Sequence, residues 1–404
     1  MERMMNREPR DVLITGLGLV SSLGEGVDAH LSRLTTPGSQ PTIEAERLAP
    51  YFVHPLPAIE WSRQIPKKGD QRQMETWQKL GVYAAGLALE DAGVAADEQT
   101  RAGIDMIVSA GGGERDPEVD ALVMARARGV EDPQPLMNEL LSSELRPTLF
   151  LAQLSNLMAG NISIVHKVTG SSRTFMGEES AGMSAVQIAS ARIRSGQSRI
   201  CLVGGAFSAE RKDLLLNYEL GGFLLRDEWR PIPARGGEHA GLVPGSLGAF
   251  LVLEDAEHAS ARGATGYGRL SFVAADRGGR DDERFAGRFD RLLTESGAVD
   301  EDLLVLSGAT GLDRETRVEH DVVSRRFPHA AQRAYGTMTG HAFEAQFPAG
   351  VALGAALLSA GVLPASTGGG EERPADFAPR QVLVTGVGHM RGEGVCLIEA
   401  TRPQ

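Results

Sequence analysis

Short apolar runs alternate with longer amphipathic segments along most of this chain. The runs have the length of single strands, and the segments between them carry apolar residues at helical spacing. This alternation predicts an α/β protein in which helices cover both faces of a mixed sheet. The predicted strands are Val12–Thr15, Met106–Ser109, Ile200–Gly204, Gly248–Leu253, Leu303–Ser307, Gln381–Thr385 and Gly394–Glu399. The predicted helices are Gln71–Ala92, Ala181–Arg194, Arg314–Arg326 and His341–Leu358.

The helices that follow Ser180 and His341 are both rich in alanine and glycine. Small side chains allow two helix backbones to approach closely, so these helices are predicted to form the buried centre of the protein. A weak internal repeat is also visible, because residues 12–16 and residues 382–386 have a similar apolar texture that ends in Thr-Gly.

Composition limits the range of functions. The 404 residues are 42% hydrophobic, which is ample for a buried core, and the formal net charge is −12. No basic patch is present to neutralise phosphates, so nucleic-acid binding is not expected. Residues 1–7 lack the apolar core of a signal peptide, and no stretch of about 18 apolar residues is apparent. We therefore expect a cytoplasmic protein with no membrane partner.

The two cysteines, Cys201 and Cys396, both lie in apolar strand-like runs. Neither stands at a predicted helix N-terminus or beside a base that would activate a thiol. They are predicted to be buried core residues. We expect no metal site and no cofactor.

The segment from Gly170 to Met183 predicts a strand that turns sharply into a helix. An extended stretch runs to Met176, and the residues after it turn into an Ala/Met/Val/Ile-periodic helix. A turn of this kind lifts one side chain to the helix N-terminus, where an enzyme would place a Cys or Ser nucleophile. The lifted position here holds Glu179.

This segment resembles the active-site elbow of the β-ketoacyl-(acyl carrier protein) synthases, which belong to the thiolase superfamily. Further motifs agree in order along nearly the whole chain. They are Val12–Gly18 with Ser21–Gly24, Gly241–Glu254 with Glu257–Ala264, and Met338–His341. The resemblance implies a thiolase-like fold, with two similar mixed-sheet halves in a five-layered αβαβα arrangement. On that basis we place the halves at residues 1–255 and 256–404.

The resemblance also implies a catalytic set of one Cys, two His and one Lys, and most of this set is missing. Glu179 stands at the Cys position, Gly308 at the first His and Gly336 at the Lys, so that only His341 remains. Val387 occupies the place of a gating Phe that would face the substrate tunnel. Such coordinated loss resembles the chain-length factor branch, the non-condensing partner in type II polyketide synthases. The elbow of that branch reads E-Q-A-G, whereas Glu178–Gly182 here reads E-E-S-A-G.

Two interpretations of Glu179 stay open at this point. A carboxylate at a helix N-terminus is favoured by about 0.3–1 kcal/mol, so Glu179 can serve as an anionic cap that fills the emptied pocket. It can also act as a general base, or imitate a substrate carboxylate, with His341 as its partner. His341 is either a buried residue bonded to Glu179 or to the backbone, or a remnant of the catalytic site.

The resemblance places further candidate residues at the substrate tunnel and at a subunit interface. Ordinary surface-loop positions are the alternative for the tunnel set. The tunnel candidates are Gly113, Arg115, Asp116, Val119 and Asp120, together with Val387. The interface candidates are Asn156, Met158, Ser172, Thr174 and Met176. The strand Ser172–Met176 is expected to pair with its counterpart in the partner subunit.

Three functional hypotheses follow. In the first, the chain is a chain-length factor that forms a heterodimer with a catalytic ketosynthase subunit, and the complex receives an acyl carrier protein. In the second, it is a self-sufficient malonyl-carrier decarboxylase or acyltransferase that uses Glu179 and His341. In the third, it is a thiolase-fold protein that binds acyl groups or assists assembly without a synthase partner.

Overall fold

The computed structural model describes residues 9–94, 96–280, 282–368 and 372–401. Residues 1–7, on which the expectation about a signal peptide depends, lie outside this range. The strands are β1 Val12–Ser21, β2 Gly24–Glu25, β3 Asp105–Ser109, β4 Ser172–Phe175, β5 Ile200–Phe207, β6 Leu247–Asp255, β7 Gly268–Gly279, β8 Leu303–Ser307, β9 Ala331–Ala334, β10 Gln381–Val387 and β11 Arg391–Glu399.

Helices connect and cover these strands. They are α1 Gly26–Thr35, α2 Lys68–Gln73, α3 Thr76–Asp91, α4 Glu98–Ala102, α5 Pro117–Ala127, α6 Gln134–Glu144, α7 Leu149–Ala152, α8 Leu157–His166, α9 Glu179–Arg194, α10 Lys212–Leu220, α11 Ala256–Ala261, α12 Asp282–Ser296, α13 Asp313–Arg326, α14 Gly336–Thr339 and α15 Gln346–Ala360.

The strand order is β4-β3-β5-β6-β1-β7-β11-β10-β8-β9, with β2 paired to β1. The first five strands of this order come from residues before 256, and the last five from residues after it. A short antiparallel pairing joins the two groups, with Leu13 opposite Arg269 and Ile14 opposite Gly268. The predicted boundary at residue 255 falls between β6 and α11.

Three hydrophobic clusters show how the layers are stacked. The central cluster contains the apolar residues of α9 and α15 together with one face of the strands of both groups. A second cluster packs α3 and α8 against the other face of the first group. A third packs α12 and α13 against the other face of the second group. Helices therefore lie outside each strand group and between the two groups, as the five-layered arrangement requires.

The structure contains the predicted strands and helices, but several of them begin or end at other residues than predicted. The expected helix at residues 71–92 is interrupted after Gln73, and α3 restarts behind a capping box in which Glu75 and Gln78 satisfy each other's backbone N–H groups. The second central helix was expected from His341 but begins at Gln346, after a 3-10 turn at Phe343–Ala345. The long strand β7 was not predicted, because its sequence is interrupted by charged and glycine residues.

One segment corrects the expectation about apolar stretches. Among the described residues, Phe343–Ala360 is long and apolar enough to cross a membrane by length and composition. However, 89% of this segment is buried inside the protein. It consists of the 3-10 turn at Phe343–Ala345 and α15, one of the two central helices, and its apolar composition follows from contact with strands on both sides.

Candidate functional site

The sharp turn before α9 has the geometry that the sequence predicts. Gly177 has a φ of 123°, and Glu178 has a φ of 55° and a ψ of −135°, which is a strained conformation for a residue with a side chain. The turn delivers Glu179 to the first position of α9, where it is 3% exposed. The helix N-terminus favours a negative charge at this position.

Glu179 is held by two imidazoles from distant parts of the chain. Its Oε1 lies 2.7 Å from Nε2 of His341 and 3.0 Å from Nδ1 of His389. The backbone N–H of His389 also donates to Oε1, at 3.3 Å. Since a carboxylate only accepts hydrogen bonds, both imidazole nitrogens must carry the hydrogen in these contacts.

These contacts decide the ionisation of the Glu179–His389 pair. Burial opposes the charged carboxylate, but the hydrogen bonds and charges of His341 and His389 outweigh it and hold the pKa of Glu179 well below its usual value. Burial lowers the pKa of His389, yet its bond to Glu179 and the nearby Glu178 carboxylate raise that pKa above the usual value. The pair is therefore an ionised carboxylate that accepts a hydrogen bond from Nδ1–H of the His389 imidazole.

His389 is the residue that the sequence analysis missed. The sequence predicts His341 as the partner of Glu179, and the structure adds His389 as a second. The available indication was the position of His389 directly after the Gly-Val-Gly sequence at residues 386–388, where β10 ends. Gly388 is needed beside it, because a Cβ there would lie 2.1 Å from the carbonyl oxygen of Arg391 and 3.2 Å from Oε2 of Glu179.

A buried ion pair fixes the turn that carries His389. Nη1 of Arg280 lies 2.9 Å from Oε2 of Glu393, and its Nε donates to the carbonyl of Gly388 at 3.1 Å. Its Nη2 donates to the carbonyl of Gly392 at 2.9 Å. Arg280 thus bonds to both sides of the turn, and Glu393 balances its charge.

A cavity of about 430 Å³ opens beside this cluster. Its lining includes Gly111, Gly112, Gly113, Arg115, Glu178, Arg211, Tyr218, Phe223, Glu344 and His389. Glu344 is 5% exposed, and burial, together with repulsion from Glu179 and Glu178, raises its pKa to about 7. Four carboxylates therefore face or adjoin this cavity, because Glu178, Asp213 and Glu344 line it and Glu179 lies beside it. The two arginines in the lining are paired, Arg115 with Asp120 and Arg211 with Asp213.

The structure separates the tunnel candidates into two groups. Gly113 and Arg115 line the cavity. Asp116 instead caps α5 by accepting from the backbone N–H of Val119, and Asp120 pairs with Arg115. Val387 does not reach the cavity, because its side chain belongs to the third hydrophobic cluster. Alternate residues of β10 face opposite sides of the sheet, which directs Val387 outward.

The interface candidates also differ in their accessibility. Asn156, Ser172 and Thr174 line a groove beside β4, and Met176 is 60% exposed. β4 is an edge strand that pairs only with β3 in the described chain. Met158 is the exception, since it is fully buried in the second cluster and lies against Gly81. Its side chain is therefore not available to a partner.

The two glycines at expected catalytic positions lie in closed surroundings. A Cβ on Gly308 would lie 2.5 Å from the carbonyl oxygen of Thr385, and a Cβ on Gly336 would lie 3.0 Å from Cδ1 of Ile232. Both cysteines are free and buried, and burial raises the pKa of Cys201 to about 11 and that of Cys396 further above its usual value. No thiol is available at the site.

Comparisons with known proteins agree with this geometry. The family profile of the β-ketoacyl synthase N-terminal domain matches residues 9–259. The chain is 28% identical over 395 residues to the tetracenomycin polyketide synthase ketoacyl synthase beta subunit of Streptomyces glaucescens, which covers 91% of this chain and 90% of that protein.

Two solved structures share the fold. The ishigamide ketosynthase/chain length factor superimposes with a TM-score of 0.78 at 21% identity, covering 97% of this chain and 100% of that one. A type II polyketide synthase acyl-carrier protein in complex with its ketosynthase bound to the hexaketide gives a TM-score of 0.72 at 16% identity, with 97% and 100% covered. The chain thus has the thiolase fold and belongs to the β-ketoacyl synthase family.

Proposed function

We propose that this chain is the non-condensing ketosynthase β subunit, or chain-length factor, of a type II polyketide synthase. It pairs with a catalytic ketosynthase, completes the acyl tunnel and limits the length of the chain. The observation that carries this proposal is a buried, ionised Glu179 at the nucleophile position, held by His341 and His389. Similarity to the ketoacyl synthase beta subunit of the tetracenomycin system supports it.

The site lacks the means for condensation by itself. A ketosynthase forms a thioester on a reactive thiol, and both cysteines of this chain are buried in strands. A carboxylate at position 179 would give a mixed anhydride that water hydrolyses readily. A partner subunit that supplies the thiol is therefore the simplest completion of the site.

The self-sufficient enzyme is less well supported. A general base works best when its pKa lies near the operating pH, whereas the two imidazoles hold the pKa of Glu179 well below its usual range. If Glu179 nevertheless acts as a base, Glu179→Gln will abolish turnover of malonyl-carrier substrate by the isolated chain. We expect no turnover from the parent chain, so that the substitution changes nothing.

The first experiment is co-expression with a ketosynthase that has an intact Cys elbow, encoded beside this gene. We expect the two chains to copurify in a 1:1 ratio, and only the complex to condense malonyl-carrier units. Met176→Asp should weaken copurification, because it places a charge on the predicted interface. Val299→Asp is the matched control, since Val299 is 57% exposed but lies in the second half of the chain. Failure to copurify with any ketosynthase would refute the proposal.

The cavity offers a test of the role in chain length. Gly112 lines the cavity, and a Cβ there would meet no atom within 4 Å. Gly112→Phe in the complex should therefore fill part of the cavity without disturbing the fold, and shift products to shorter chains. Gly69→Phe is the control, because Gly69 has equally open surroundings in α2. If the products of the Gly112→Phe complex keep their length, this cavity is not part of the acyl tunnel.

The third hypothesis, an acyl-binding or assembly protein without a synthase partner, predicts a different result in a binding experiment. Such a protein would bind an acylated carrier protein tightly in a titration of the isolated chain. A chain-length factor should bind the carrier appreciably only together with its ketosynthase.

A further inference from the structure

Side chains that can bind a metal, from two segments far apart in sequence, meet beside the cavity. Glu178, Glu179 and His389 each place one carboxylate oxygen or ring nitrogen so that the three atoms lie within 4.8 Å of one another. Glu179 and His389 are buried and Glu178 is half-buried. We propose that Glu178 and His389 bind one divalent transition-metal ion of the zinc class, with Glu179 as the carboxylate that orients His389.

The assignment of the two ring nitrogens carries this proposal. Nδ1 of His389 lies 3.0 Å and 3.2 Å from the two oxygens of Glu179, so Nδ1 is the nitrogen that donates to the carboxylate. This leaves Nε2 facing Oε1 of Glu178 at 3.6 Å. The separation is too long for a hydrogen bond. It is close to the distance of about 3.4 Å between two ligands that share a tetrahedral ion with bonds of about 2.1 Å.

The groups around His389 match those that usually orient a metal-bound histidine. A histidine ligand generally donates its other ring N–H to a carboxylate, which fixes its orientation and strengthens it as a ligand. Glu179 provides that carboxylate, and the rings of Tyr218, Phe223 and Phe343 pack edge-on against the imidazole. The Tyr218 hydroxyl donates to Oε1 of Glu178 at 3.3 Å, so the second ligand is also held.

Charge and donor type define the class of ion. Glu344 lines the same cavity as Glu178 and His389, so a cation there meets a concentration of negative charge. One imidazole nitrogen with carboxylate oxygens suits zinc and its first-row neighbours better than softer ions, which prefer sulfur ligands. Two protein ligands leave coordination positions that open into the cavity. Water, or a carbonyl or carboxylate oxygen of a bound ligand, can fill them.

The sequence alone predicts no metal site. Glu179 and His389 are separated by 210 residues, and only the meeting of α9 with the end of β10 brings them together. Their spacing matches no metal-binding motif, so the expectation was reasonable from sequence alone.

The test is calorimetric titration of the full chain, stripped of metal with a chelator, with Zn²⁺. We expect one ion per chain. Glu178→Gln should weaken binding at least about tenfold, and Tyr218→Phe should weaken it less, because it removes only the support of a ligand. Glu228→Gln is the matched control, since the Glu228 side chain is 84% exposed and its loss removes the same charge. It should leave the affinity unchanged.

Co²⁺ provides an independent readout. Its visible absorption should show one bound ion, and its proton spectrum should show a shifted, exchangeable resonance from Nδ1–H of His389. Absence of binding would overturn the proposal. Equal affinity in Glu178→Gln and Glu228→Gln would mean an adventitious ion only and would overturn it as well. The titration needs no ketosynthase, so its outcome is separate from that of the copurification experiment.

Discussion

Glu179 and Glu319 are both buried glutamates, 3% and 0% exposed, but their surroundings shift their pKa values in opposite directions. Glu179 accepts from two imidazoles and a backbone N–H. Glu319 accepts at Oε1 from the hydroxyls of Ser307 and Thr385, while its Oε2 has no hydrogen-bond partner among the described residues. Burial raises the pKa of Glu319 to about 7, whereas the pKa of Glu179 lies below its usual value. The available donors, and not burial alone, decide the direction in which the pKa of a buried carboxylate shifts.

The two positions at which the sequence predicts catalytic residues differ in the same way. At the turn before α9, Glu179 accepts from two imidazoles beside a polar cavity. At position 308 the surroundings are closed, since the N–H of Gly308 donates to the Thr385 hydroxyl that also contacts Glu319. Position 179 therefore adjoins a polar cavity, whereas position 308 lies in the core.

The largest effect is expected from removing one partner of the charged glutamate. His341→Leu leaves Glu179 with a weaker set of donors in a buried position, and we expect a loss of about 3–5 kcal/mol in the free energy of unfolding. Urea unfolding measures this loss. The double variant Glu179→Leu/His341→Leu should lose less than the sum of the two single variants. Additive losses would show that the 2.7 Å contact contributes little.

A pH series on Glu319 should give the next largest effect. The folded-state pKa of Glu319, about 7, exceeds its ordinary value of 4.5, so the folded state binds more protons between these values. Stability therefore falls as pH rises through this window, and Glu319→Gln should remove the fall. Relative to the parent, the variant should gain up to about 3 kcal/mol between pH 4.5 and pH 7. A difference that does not change with pH would show that Glu319 is already ionised.

The smallest effect on stability is expected from substitutions at the two glycines, Gly308 and Gly336. Gly308→Ala places a Cβ 2.5 Å from a backbone oxygen, so the sheet must shift, and we expect a loss of about 1–3 kcal/mol. Gly336→Ala meets Cδ1 of Ile232 at 3.0 Å, the end of a flexible side chain that can move, and should cost clearly less. Thermal unfolding of the two variants measures the difference. Equal losses would mean that position 308 is no more closed than position 336.

The sequence predicted the turn before α9 and the place of Glu179, because local glycines and a change from extended to helical periodicity mark such a turn. It also predicted the buried cysteines and most strands. It did not predict β7, whose charged residues conceal its extended conformation, or the role of His389. The predicted tunnel position of Val387 depends on which face of β10 it occupies, and one residue of register reverses that face.

The amino-acid sequence by itself determined the class of fold and the absence of a thiol at position 179, since both follow from the residues present and the local patterns of apolar residues and glycines. Only the tertiary structure decided which groups surround Glu179. Glu179, His341 and His389 come from three separate segments that meet because α9, the turn before α15 and the end of β10 pack together. The charge of a buried carboxylate depends on donors that such packing brings near, and no local pattern encodes them.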